Sequence, residues 1–140
     1  MPIKYKYDES SNVVYTYGIG EVTYYDLKDY FEKILLDSAV QSGFWEIVNT
    51  CDVINVTITL EDCMKLLTLI KRFVKEKQYK GAILFAPNKH SISVIRLWFY
   101  FLRKFLTEQF FIESKLKDYQ KLVLRHTGVV YQLDSWRDHE

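Results

Sequence analysis

Apolar and polar residues alternate at the start of the chain, where Lys4 and Lys6 separate Ile3, Tyr5 and Tyr7. A period of two predicts a strand with one buried and one solvated face. Asp8-Glu9-Ser10-Ser11-Asn12 is a polar turn, and Val13–Gly18 resumes a β-branched and aromatic run, so this region reads as a hairpin. Gly18 and Gly20 loosen the backbone ahead of Thr23, and there the period lengthens. Thr23 and Asp26 have capping-box spacing, with Asp in place of Glu or Gln. Leu27, Phe31, Ile34 and Leu35 follow at i, i+4, i+7 and i+8, which predicts a helix reaching about Asp37.

After a loop at Ser38–Gly43, the short apolar run Phe44–Asn49 predicts a strand covered on at least one face. The stretch CDVINVTITLEDC (51–63) reads as the turn into a second helix, whose stripe is Leu60, Cys63, Leu67, Ile70 and Val74. Lys75, Lys77 and Lys80 suit a helix C-terminus, and Gly81 is the expected stop. Ala82–Ala86 predicts a strand closed by Pro87-Asn88, followed by a third helix from about Ser91 to Leu106. Phe110–Ile112 is a short strand, and Lys115–Arg125 a fourth helix carrying Leu116, Tyr119, Leu122 and Val123. The tail from Gly128, with Trp136, has no clear period. The order β-β-α-β-α-β-α-β-α predicts an α/β fold in one domain spanning residues 1–140. Its mixed sheet begins with the hairpin, continues through β-α repeats and packs against four helices.

Composition narrows the function. A chain of 140 residues suits one domain that buries about two-thirds of its unfolded surface. The 19 Lys and Arg nearly cancel the 18 Asp and Glu, which argues against nucleic acid as a partner. The N-terminus lacks the apolar core of a secretory signal, and the most apolar run, 91–106, is short and interrupted by Arg96, Arg103 and Lys104. No transmembrane segment and a cytoplasmic location are therefore expected. Cys51 and Cys63 have neither CxxC spacing nor nearby histidines, so they are expected to be packed thiols, with no metal and no cofactor. The Asn55-Val56-Thr57 sequon lacks a secretory route and is read as coincidence.

The element order, together with NVVYTYGIGEVT (12–23) and GFWEIVNTCDVINVTITLED (43–62), resembles the SpoIIAA-like proteins, relatives of the STAS domains of anti-sigma-factor antagonists. The likeness runs over roughly residues 3–125 and rests on pattern rather than on a catalytic motif. It implies a non-enzymatic protein-interaction or regulatory module. STAS antagonists carry an Asp-Ser-Ser/Thr-Gly-type signature whose hydroxyl a kinase phosphorylates, between a strand and a helix. The matching region here is Val56-Thr57-Ile58-Thr59-Leu60, without the Asp and Gly, so Thr57 or Thr59 would stand in. A phosphate at this helix start would meet Glu61 and Asp62 with no cation adjacent in sequence, so Thr59 reads first as a cap and second as a disruptive switch. The wider group also resembles lipid-transfer domains in its arrangement, which implies an apolar or lipid-like ligand as the alternative.

Two further stretches carry chemistry. APNKHSIS (86–93) follows a parallel strand and opens a helix, where open α/β sheets hold ligands. Asn88, Lys89, His90, Ser91 and Ser93 would suit an anion, against the plainer reading that Asn88 or Ser91 caps the helix. No acidic residue near His90 completes a nucleophile–base–acid set, so an enzyme is not expected. The third helix has one apolar stripe of Ile95, Phe99, Leu102 and Leu106 and a second of Val94, Trp98, Phe101 and Phe105. Together they cover about half the circumference, more than a singly docked helix needs. The excess is expected to be covered internally, to form a homodimer or another protein contact, or to hold an apolar ligand, with its polar end near Asn88–Ser93 and its apolar part against Trp98 and Phe101.

Overall fold

The computed structural model describes residues 2–132, and only the backbone for 89–94, so Trp136 lies outside the described residues. β1 (Ile3–Asp8) and β2 (Val13–Thr23) form the antiparallel hairpin, with Ile3 opposite Gly18 and Asp8 opposite Val13. Then come α1 (Tyr24–Leu36), β3 (Trp45–Thr57), α2 (Leu60–Lys77), β4 (Gly81–Phe85), α3 (Lys89–Phe105), β5 (Gln109–Glu113) and α4 (Leu116–Thr127). The five strands lie in the order β1-β2-β3-β4-β5 and are parallel from β2 onwards. Every parallel crossover therefore steps the same way along the sheet. Right-handed connections taken in one direction place α1, α2 and α3 on one face. α4 follows the last strand and packs on the other.

The period of two along β3 sorts its residues between two cores. Phe44, just before the strand, and Val48 within it join Phe31, Ile34, Leu66, Ile70, Phe73, Phe99 and Leu102 beneath the three helices. Trp45 and Ile47 point the other way, to Tyr119 and Val123 of α4. Phe44 and Phe73 are fully buried, and each such burial contributes about 1.5–3 kcal/mol.

The helix starts follow the sequence closely. The Thr23 and Thr59 side chains accept from the N–H groups of Asp26 and Asp62, and those carboxylates accept from the threonine backbone N–H at 2.9 Å in both boxes. Three boundaries differ from expectation. β2 runs on through Gly18 to Thr23, and β3 runs to Thr57, because Ile19–Thr23 pairs with Asp52–Thr57 beyond a register shift. Most of CDVINVT is thus strand, with Val53 inward and Ile54 exposed. Finally, Gln78 in the left-handed region ends α2, and Gly81 opens β4 at φ +143. Gly81 is required there because an added Cβ would lie 1.8 Å from the Gln109 carbonyl oxygen across the β4–β5 pair.

Candidate functional site

The helix entry after β3 and the outer side of α3 meet at the surface. Thr57 ends β3 and Thr59 caps α2, and both are exposed. Leu60 follows the cap and is 69% exposed, with Met64 one turn further along the same helix face at 48%. Across from them, α3 presents Leu97 (64%), Tyr100 (68%) and Phe105 (47%). Between these walls runs a cleft of about 230 Å³ lined by Thr59, Leu60, Leu97, Tyr100, Phe101 and Phe105, among others. Lys104 also lines it, with its ammonium 5.8 Å from the centre of the Phe105 ring. Arg103, by contrast, is spent internally. Its Nε and Nη2 donate to the Phe110 carbonyl at 2.9 and 2.5 Å, tying α3 to β5.

The two stripes of α3 divide unequally. Ile95, Phe99 and Leu102 dock on the sheet as expected. Trp98, one of the interface candidates, is only 9% exposed and belongs to the internal core with Val53, Cys63 and Phe99. Its ring stacks on Phe101 at 6.3 Å, and Phe101 packs in turn on Phe105 at 4.8 Å. The aromatic row thus runs from the interior to the surface, with Phe101 half-buried between. Leu97 and Tyr100 replace Trp98 in the exposed set.

The predicted anion site is only partly placed. Asn88 precedes α3 but makes no capping bond to it. Its amide nitrogen donates instead to the Cys51 and Val53 carbonyls at 3.0 and 3.2 Å, fastening the β4–α3 loop to the second half of β3, beyond its pairing with β4. The side chains of Lys89, His90, Ser91, Ser93 and Val94 lie outside the described residues. No disulfide joins Cys51 and Cys63, and burial pushes the Cys63 thiol up.

Beneath α1–α3 sits a group that the sequence reading passed over. Glu46 lies on β3 between Trp45 and Ile47, 4% exposed, facing the apolar core. Its Oε1 accepts from the Tyr79 hydroxyl at 2.6 Å, and its Oε2 accepts from the Tyr30 hydroxyl. The Thr16 hydroxyl lies 2.5 Å from the Tyr30 oxygen and can donate to it, completing a relay across β2, α1, β3 and the α2–β4 loop. Burial raises the Glu46 carboxyl above its ordinary range, against the lowering effect of both tyrosine hydrogen bonds. The same burial and the neighbouring carboxylate hold both phenols well above theirs. These residues line a cavity of about 110 Å³ whose remaining walls are almost entirely apolar. A glutamate inside the run FWEIV was the signal available in the sequence.

No family model matches the chain, and no curated protein matches it. Solved structures do. The anti-sigma factor antagonist SpoIIAA in its unphosphorylated form is 14% identical over 89% of this chain and 98% of its own, with a TM-score of 0.53. An uncharacterized protein with a SpoIIAA-like fold from Shewanella loihica PV-4 is 12% identical over 86% and 92%, with a TM-score of 0.53. An anti-sigma factor antagonist from Mycobacterium paratuberculosis is 15% identical over 86% and 93%, with a TM-score of 0.51. At such identities the likeness is one of architecture, and in architecture the chain is SpoIIAA-like.

Proposed function

We propose that the protein is a non-enzymatic regulatory module that docks a protein chain on its α2–α3 face, and that a second copy of itself is one such partner. The observation that carries this reading is the exposure of Leu60, Leu97, Tyr100 and Phe105 on two helices around one cleft, with exposed Met64 one turn along α2 from Leu60. Large apolar side chains scattered singly are ordinary, whereas a contiguous group marks an interaction surface. Tyr and Phe are enriched at such surfaces because they bury much area for little rotamer entropy. Two of the similar solved structures are anti-sigma factor antagonists, which favours regulation as the class. A cytoplasmic location belongs to the same reading.

Thr59 stands at the edge of this face with its side chain engaged in the cap. Phosphorylation there would add charge to an apolar docking surface and place it beside Asp62 and Glu61. The hydroxyl would then serve as an off-switch for docking. Light scattering over a concentration series tests the reading. The wild type should shift from monomer towards dimer, and a Leu97→Glu/Phe105→Glu double variant should stay monomeric with unchanged circular dichroism. A wild type that is strictly monomeric at millimolar concentration would refute self-association.

A further inference from the structure

The interior cavity suggests a second site, which shares Ile58 and Trp98 with the docking cleft. Its volume of about 110 Å³ compares with the apolar cavity of about 150 Å³ that admits benzene. Leu27, Val56 and Ile58, all half-buried, mark the side on which it approaches solvent. A purely apolar void of this size would accept any small hydrocarbon. This one has a carboxyl group in its wall, and that changes the chemistry.

Each carboxylate oxygen offers two acceptor positions. Among the described residues, Tyr79 occupies one on Oε1 and Tyr30 one on Oε2, so half of the acceptor capacity of Glu46 remains. Among the described residues, no Lys or Arg forms an ion pair with Glu46. The tyrosines hold the carboxyl group in place, and burial in an apolar interior favours its neutral form. A bound cation would favour the ionised form and pair with it. Tyr30, Phe99, Trp98 and Phe110 line the same space, and aromatic faces attract ammonium groups.

We propose that this cavity binds a compact apolar primary amine, with the ammonium group on Glu46 and the hydrocarbon part among the aromatic and branched side chains. A buried ion pair is favourable only where geometry is good and the remaining acceptors are satisfied. The two tyrosine hydroxyls provide that setting before the ligand arrives. The volume, smaller than the benzene-binding cavity, limits the hydrocarbon to branched aliphatic groups of about four carbons.

The test is a titration of isotope-labelled protein followed by amide NMR, using isobutylamine hydrochloride, isobutanol and sodium isobutyrate. These probes share a shape and differ in head-group charge. Isobutylamine should shift amides along β3 and β4 around Glu46 and Ala82 and should saturate. Isobutanol should bind about tenfold more weakly, and isobutyrate should not bind. Glu46→Gln should weaken the amine about tenfold and leave isobutanol unchanged. Ala82→Val retains the carboxyl but adds methyl groups at the cavity wall, and it should abolish binding of both while raising Tm. That variant decides the matter if Glu46→Gln does not fold. Equal responses to amine and isobutyrate, unaltered amine binding in Ala82→Val, or no saturable shift with any probe would overturn the proposal. Leu97→Glu/Phe105→Glu should bind isobutylamine as the wild type does, so failure of either proposal leaves the other standing.

Discussion

Replacing Tyr79 with Phe removes one oxygen from the relay around Glu46 and little else. The Tyr79 ring packs on Phe44 at 5.2 Å, Phe73 at 5.7 Å and Phe110 at 6.1 Å, and a phenyl ring keeps all three contacts. What is lost is the 2.6 Å hydrogen bond to Glu46 Oε1, inside a fully buried site. Hydrogen bonds to charged groups contribute about 1.5–3 kcal/mol, so a loss of about 2 kcal/mol at neutral pH is expected. With an unfolding entropy near 2.1 cal/mol/K per residue, that corresponds to a fall in Tm of about 7 °C for a chain of this length. The effect must depend on pH. The folded Glu46 carboxyl titrates above its ordinary 4.5, so the folded state holds this proton longer than the unfolded state. Stability from this group is therefore greatest below the ordinary value and declines as pH rises through the folded value. Tyr79→Phe pushes the folded value further up, so the gap between variant and wild type widens with rising pH and then levels off. Urea unfolding of both proteins from acid to mildly alkaline pH measures this. In a Glu46→Gln background, Tyr79→Phe should cost markedly less. A pH-independent loss, or one unchanged by Glu46→Gln, would refute an ionised Glu46 as the acceptor.

Other elements give predictions of their own. Gly81→Ala should prevent accumulation of folded protein, since its Cβ would collide with the Gln109 carbonyl at 1.8 Å and neither strand can yield; native yield and circular dichroism report it. Thr59→Ala should cost about 1 kcal/mol in urea unfolding through loss of the α2 cap, and Thr59→Asn, which can still accept from Asp62, should recover most of it. His126 sits between Trp45 at 5.2 Å and Phe111 at 4.8 Å, and burial, with Arg125 beside it, lowers its imidazole below the ordinary 6.5. The unfolded state therefore takes this proton first, and stability is lost as pH falls through 6.5 towards the folded value. His126→Phe should remove that slope in a pH series of thermal melts.

Where local chemistry decides structure, the sequence was legible. The capping boxes, the hairpin and the alternation of helices and strands all rest on contacts within a few residues. β3 was misjudged because Asp52 and Asn55 resemble turn residues, while their strand conformation depends on pairing with Ile19–Thr23, some thirty residues earlier. The two apolar stripes of α3 were visible, but that Trp98 turns inward and Leu97 outward depends on the rest of the core, which lies far away in sequence. Glu46 was readable as an anomaly. Its partners were not, since Tyr30 and Tyr79 lie 16 and 33 residues away and look like ordinary core aromatics.

The central claim is that the α2–α3 face is where this protein meets a second copy of itself. Amide NMR spectra recorded over a concentration series test it most directly. The account predicts concentration-dependent shifts at the start of α2 and along the outer side of α3, around Thr59–Met64 and Leu97–Phe105. They should be absent from β1 and α4, and lost in the Leu97→Glu/Phe105→Glu variant. Shifts centred on α4, or spectra that do not change up to millimolar protein, would contradict it.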